Sequence, residues 1–295
     1  MPSLSSAMRI AVLAFGLCAS AATAQEIKPF ADTSRVIAIG GSLTEIIYAL
    51  GEQDRLVARD STAVYPPEAL KLPDVGYMRA LSPEGVLSAN PSALLVIEGS
   101  GPKEALDVLS KASVPYVTIP EGFSADGILN KVRLVGEALG VADKAKALAD
   151  KLDADLKSAE ALTRDVPRKQ RVLFVLSYED GKVQASGTGT AANGIIALAG
   201  AENAVTQYQG YKALTEEALV EAKPDVILMM TGGGGHGATD DELFSQPGIA
   251  LTPAGQNRRV IRIDGAYLLG FGPRTAQAIG ELAADIYGDE IARTK

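Results

Sequence analysis

The chain reads as an α/β protein of two Rossmann-like lobes joined by a single long α-helix. Three observations predict this: short apolar runs alternating with helical patterns, a central stretch of purely helical periodicity, and an internal repeat. Of 295 residues 47% are hydrophobic, which suffices for two modest cores.

Residues 1–24 stand apart. Arg9 precedes the apolar run Ile10 to Leu17 and the small residues Ala22-Thr23-Ala24. That is the pattern of a secretory signal peptide cleaved before Gln25. A membrane anchor fits poorly, because so short a run cannot span about 30 Å of hydrocarbon. Cys18 follows Phe15-Gly16-Leu17, a poor context for lipid attachment.

Residues 25–123 are expected to form the N-terminal lobe. Arg35 to Ile39 is a strand that ends in Gly40-Gly41-Ser42, and Leu43 to Leu50 has helical spacing closed by Gly51. Apolar runs at Leu94–Ile97 and Val117–Ile119, separated by the helical pattern Pro102–Ala112, continue a parallel sheet. The linker, residues 124–169, carries only helical patterning, interrupted at Gly140-Val141. Its second part, Ala142–Thr163, would run about 33 Å as a helix and can bridge two lobes. The C-terminal lobe, residues 170–295, restarts with the strand Arg171–Leu176 and the helix Ala191–Ala199.

The repeat ties the lobes together. The segment Leu81 to Val96 aligns with Leu214 to Met229, with Glu84 on Glu217, Ala89 on Ala222 and Pro91 on Pro224. Each copy predicts a helix followed by an apolar strand, and two such lobes leave a cleft where small ligands usually bind. Just before these helices, Gly76-Tyr77-Met78-Arg79 sits opposite Gly210-Tyr211-Lys212. If both loops line the cleft, each lobe offers it a phenol and a cation, which suits a flat, apolar, acidic ligand. The ordinary alternatives are a packing tyrosine and a solvated cation.

Composition narrows the chemistry. Lys and Arg total 28 against 36 Asp and Glu, and the net charge of −8 argues against a grip on nucleic acid. One Cys and one His argue against zinc modules, iron–sulfur clusters and multi-histidine metal cages. Neither Gly40-Gly41-Ser42 nor Ser186-Gly187-Thr188-Gly189 matches a nucleophile elbow or a phosphate loop, so an enzyme is not expected. The rival from that class, a secreted α/β hydrolase, would have to use His236 in the run Gly232 to Gly237.

The opening Arg35-Val-Ile-Ala-Ile-Gly-Gly-Ser-Leu-Thr-Glu-Ile, Tyr65-Pro66-Pro67-Glu68, Val75-Gly76-Tyr77-Met78-Arg79 and Ser186 to Asn193 resemble the periplasmic haem-binding proteins of bacterial ABC haem importers. The resemblance covers about Ser34 to Tyr287. It implies a helix-linked, class III binding protein, monomeric and periplasmic, with haem as transported ligand. It also implies an inner-membrane ABC permease with its ATPase as partners. The same fold class carries ferric siderophores and cobalamin, which stay open as alternatives.

In that family the tyrosine of the Gly-Tyr-Met-Arg segment ligates haem iron and the arginine supports it; here these are Tyr77 and Arg79. Ferric iron suits a phenolate, and a neighbouring cation favours the anion. Some members hold two haems, using a histidine near the end of the first strand of the second lobe. This strand carries no histidine, and Tyr178 is the nearest residue that could serve as a second phenolate. Arg79, Lys212 and Arg274 are candidates for the propionates, and Tyr211, Tyr267 and Phe271 for packing on the porphyrin. The class also presents one glutamate per lobe to permease arginines, matching Glu84 and Glu202, with Glu217 competing.

Overall fold

The structure is a computed structural model that describes residues 27–232, 238–288 and 291. The expected export signal in residues 1–24 and His236 lie outside the described residues. The N-terminal lobe runs β1 (Val36–Ile39), α1 (Gly41–Ala49), β2 (Leu56–Arg59), α2 (Pro83–Ser88), β3 (Ala93–Ile97), α3 (Lys103–Lys111) and β4 (Tyr116–Ile119). Its four strands are parallel, in the order β2-β1-β3-β4. Strands buried on both faces explain the continuous apolar runs. One face of β1 and β3, with Ile37, Ile39, Leu94 and Val96, packs on Val86 of α2 and Leu109 of α3.

The chain then crosses through α4 (Ala125–Ala138) and α5 (Ala142–Ala161), joined by a tight turn at Gly140. Here the structure refines the expectation of one bridging helix. α5 does cross: Lys144 near its start bonds Glu52 of the first lobe at 2.5 Å, and Thr163 just past its end packs on Gly200 of the second. α4 runs back beside it, from Phe123 against Gly194 to Leu139, whose carbonyl accepts from Arg55. The linker is therefore a helical hairpin. The outer face of α5 carries the exposed i,i+4 pairs Lys146–Asp150, Lys151–Asp155 and Asp153–Lys157, which add only slightly to the helix.

The second lobe follows: β5 (Arg171–Glu179), β6 (Lys182–Ser186), α6 (Ala191–Leu198), β7 (Glu202–Asn203), β8 (Tyr211–Leu214), α7 (Glu216–Ala222) and β9 (Val226–Thr231). Then come α8 (Asp240–Ser245), α9 (Pro247–Ala250), α10 (Pro253–Gln256), β10 (Val260–Asp264), α11 (Gly265–Leu269) and α12 (Thr275–Tyr287). Its sheet has the order β10-β9-β5-β6-β8. β9 and β10 are parallel to β5, but β6 pairs antiparallel with both β5 and β8, which the patterning did not reveal. One core runs through both lobes, from Ile46 and Val132 by way of Leu152 to Ile195 and Ile279.

The repeat is real in three dimensions. Ser82 caps α2 and Thr215 caps α7, each accepting from the backbone N–H three residues on. Each helix is followed by a left-handed residue, Asn90 at φ 50° and Lys223 at φ 44°. An arginine opening the neighbouring strand then reaches back to each helix end, Arg35 to the carbonyls of Ala89 and Asn90 and Arg171 to that of Ala222.

Candidate functional site

The N-terminal wall of the cleft comes from loops that leave the carboxyl edge of the first sheet, the usual ligand-facing edge of such sheets. Tyr77 is 45% exposed, and Arg79 Nη1 donates to its hydroxyl at 3.5 Å. The expected phenol and cation do meet on this side.

The opposite wall is built differently. Tyr211 opens β8 and pairs with Ser186, its ring 6.4 Å from that of buried Phe174. The segment Ser186 to Asn193 forms its seat. Ser186 and Thr190 hydroxyls lie 2.5 Å apart, Thr190 caps α6, and buried Asn203 donates to the carbonyls of Ser186 and Gly187. Burial pushes the Tyr211 phenol up, opposed by its bond to Thr190 and by the Arg79 charge.

Two C-terminal candidates face elsewhere. Adjacent strand residues alternate faces, so Lys212 points away from Tyr211 and lies over the Tyr208 ring at 5.1 Å. A bulge between Val175 and Ser177 shifts the register of β5, and Tyr178, like Tyr208 and Leu214, packs against the core on that same far face. The expected cation and reserve phenol of the second wall are thus separated from Tyr211.

The floor is an interlobe polar cluster. Arg274 makes a bidentate pair with Glu45 of α1, at 2.6 and 2.9 Å. The Tyr65 ring lies 3.8 Å from its guanidinium and the Tyr267 ring 5.1 Å. Arg274 was expected at a propionate; here its charge is already matched by Glu45. Tyr267, half-buried, is pushed up to about 12 by burial and by a hydrogen bond with Glu281. Beside it, fully buried Lys131 of α4 bonds Glu121 at 2.5 Å, Phe271 O at 3.1 Å and Ser42 Oγ at 3.3 Å. Burial drives both Lys131 and Glu121 toward their neutral forms, and their mutual contact opposes it. Phe271 corrects a further expectation. Its ring is 1% exposed and stacks edge-on against Phe123 at 5.2 Å, so it is core and not a ligand-facing surface.

Glu45, Tyr65 and Lys131 were not singled out from the sequence. Glu45 and Tyr65 stood inside recognisable segments, but only the partner 229 positions away gives Glu45 its role. Lys131 carried no signal, since a lysine in a helical pattern reads as surface.

The glutamates lie outside this cluster. Glu84 and Glu217 occupy the same second position of the capped helices α2 and α7, both exposed. Glu202 is exposed too, but it belongs to the short strand β7 and not to a helical segment.

Comparison with known proteins agrees with this architecture. The periplasmic haem-binding protein BhuT, solved in complex with two haems, is 39% identical at a TM-score of 0.81, over 87% of this chain and 98% of that one. The apo periplasmic haem-binding protein RhuT from Roseiflexus sp. RS-1 is 38% identical at a TM-score of 0.82, over 88% and 100%. An uncharacterized ABC transporter substrate-binding lipoprotein of Bacillus subtilis, YvrC, is 27% identical over 91% of this chain and 84% of that protein. A vitamin B12-binding protein of Pectobacterium atrosepticum is 23% identical over 87% and 90%. The family model for periplasmic binding proteins matches residues 36–267, and the chain belongs to that family.

Proposed function

We propose that this protein is an exported periplasmic carrier that takes up haem in its interlobe cleft through Tyr77 and hands it to an ABC permease powered by its ATPase. The observation that carries the reading is the exposed Tyr77 phenol with the Arg79 guanidinium at 3.5 Å, at a cleft whose other wall presents Tyr211. A phenolate is a hard donor suited to ferric haem iron, and two phenol-bearing walls match a flat aromatic ring system. The 38–39% identity to haem-binding proteins, against 23% to a vitamin B12-binding protein, favours haem over cobalamin. Haem is the cargo here, not a resident cofactor.

Spectrophotometric titration of the apoprotein with ferric haem tests the reading, with cyanocobalamin and a ferric siderophore titrated in parallel. Saturable haem binding with a new visible spectrum is expected; saturation by either other chelate and not by haem overturns it. The end point also counts haems per chain. Delivery is tested separately. Glu84 and Glu217 share one structural position on the two lobes, so they are the pair expected to meet permease arginines, ahead of Glu202. Glu84→Arg with Glu217→Arg is expected to leave haem titration intact and to stop haem uptake by vesicles holding the cognate permease.

A further inference from the structure

The loop that carries Tyr77 is fastened at one residue. Asp74 follows Pro73, whose carbonyl accepts from the Arg59 N–H at the end of β2, and the Val75 N–H returns a bond to the Arg59 carbonyl; both are 2.9 Å. The Asp74 carboxylate then divides its two oxygens. Oδ1 accepts the Gly76 N–H at 2.8 Å and the Ser61 hydroxyl at 3.0 Å. Oδ2 takes Nη1 of Arg59 at 3.1 Å, and that arginine side chain is only 11% exposed. Gly76 itself sits at φ +103°, a conformation that L side chains rarely adopt, and its carbonyl accepts from the Ser61 N–H at 3.0 Å. A rigid strand, a largely buried cation, one carboxylate and one turn thus lead directly to the next residue, Tyr77.

We infer that Asp74 is a positioning residue for the iron-binding phenol, setting where Tyr77 stands in the cleft without touching the ligand. This rests on the haem reading above. The physical reason is general: a first ligand on an exposed loop is only as well placed as the partners that hold it, and losing an outer partner typically lowers metal affinity about 10–100-fold. Asp74→Asn separates the two halves of the device. The amide oxygen can still accept from Gly76 and Ser61, while the Arg59 pair is lost.

The test has two independent readouts. In the apoprotein, Asp74→Ala is expected to speed amide exchange at residues 75–80 by about tenfold or more and leave β1 and β3 unchanged, with Asp74→Asn between Ala and wild type. In haem titrations, Asp74→Ala is expected to weaken binding about tenfold and to alter the ferric spectrum, but to have less than about a twofold further effect in a Tyr77→Phe background. Unaltered exchange in Asp74→Ala overturns the anchoring. Equal losses in the two backgrounds, or none in either, overturn the link to Tyr77. Failure of the wild-type protein to bind haem at all is a different result: it overturns the haem reading, and with it the role assigned to Asp74, while the exchange experiment still reports the anchor.

Discussion

The two walls of the cleft descend from one repeated unit yet present their chemistry in different ways. On the first lobe Tyr77 and Arg79 are two apart on a loop, which lets both side chains turn the same way and meet at 3.5 Å. On the second, Tyr211 and Lys212 are neighbours on a paired strand, so the pleat sends them to opposite faces. Repetition of sequence carried over the caps, the left-handed turns and the arginine clasps of α2 and α7. It did not carry over the phenol–cation pair, because one residue of spacing on a strand reverses the direction of a side chain.

The largest effect should come from the first wall. Tyr77→Phe keeps the ring and removes the donor oxygen, and is expected to lower haem affinity about 100-fold, close to 3 kcal/mol, with a changed ferric spectrum. Titration of the variant beside wild type checks this; an unaltered affinity and spectrum would move the iron to Tyr211 and invert the comparison.

Next in size is the floor that holds both walls in one body. Glu45→Ala leaves Arg274 between two tyrosine rings with no carboxylate, and is expected to cost about 2 kcal/mol. The figure is below that for a fully buried pair because the Arg274 side chain is still 20% exposed. Urea unfolding measures the loss, and a stability equal to wild type would show that the interlobe pair contributes nothing.

The second wall should matter less. Tyr211→Phe retains the stacking surface and is expected to weaken haem binding no more than about tenfold, while Lys212→Ala should change it less than about twofold, because Lys212 lies over Tyr208 on the face away from Tyr211. A larger loss in Lys212→Ala than in Arg79→Ala would show that the far face of β8 takes part in binding.

A last expectation concerns pH dependence. Tyr267 is pushed up to about 12 in the folded protein against about 10 for a free phenol. The folded state therefore holds that proton more tightly. Its contribution to stability is complete below about pH 10 and is lost as the pH rises through about 12. Denaturation at a series of alkaline pH values is expected to show a shallower decline in Tyr267→Phe than in wild type; identical slopes would remove Tyr267 from the floor.

Much of the architecture was legible in the residues. Alternating apolar runs placed β1, β3, β4 and β5, and the repeat placed α2 and α7; their caps, Ser82 and Thr215, emerged only in the structure. The residues placed the Tyr77 phenol and the Arg79 cation in one loop, and the family resemblance paired them. Tyr178, Lys212 and Phe271 could not be placed that way. Their directions depend on a bulge, on strand pairing across a sheet edge and on burial beneath Phe123.

The amino-acid sequence by itself determined the two-lobed α/β plan, the crossing helix α5 and the repeat, since each is written in local patterning or in a period that repeats. Only the tertiary structure decided the floor. Glu45 meets Arg274, and Lys131 gathers Ser42, Glu121 and Phe271. Charges of this kind look like ordinary surface residues in a sequence, and become a site only when folding removes them from water and supplies partners from distant segments.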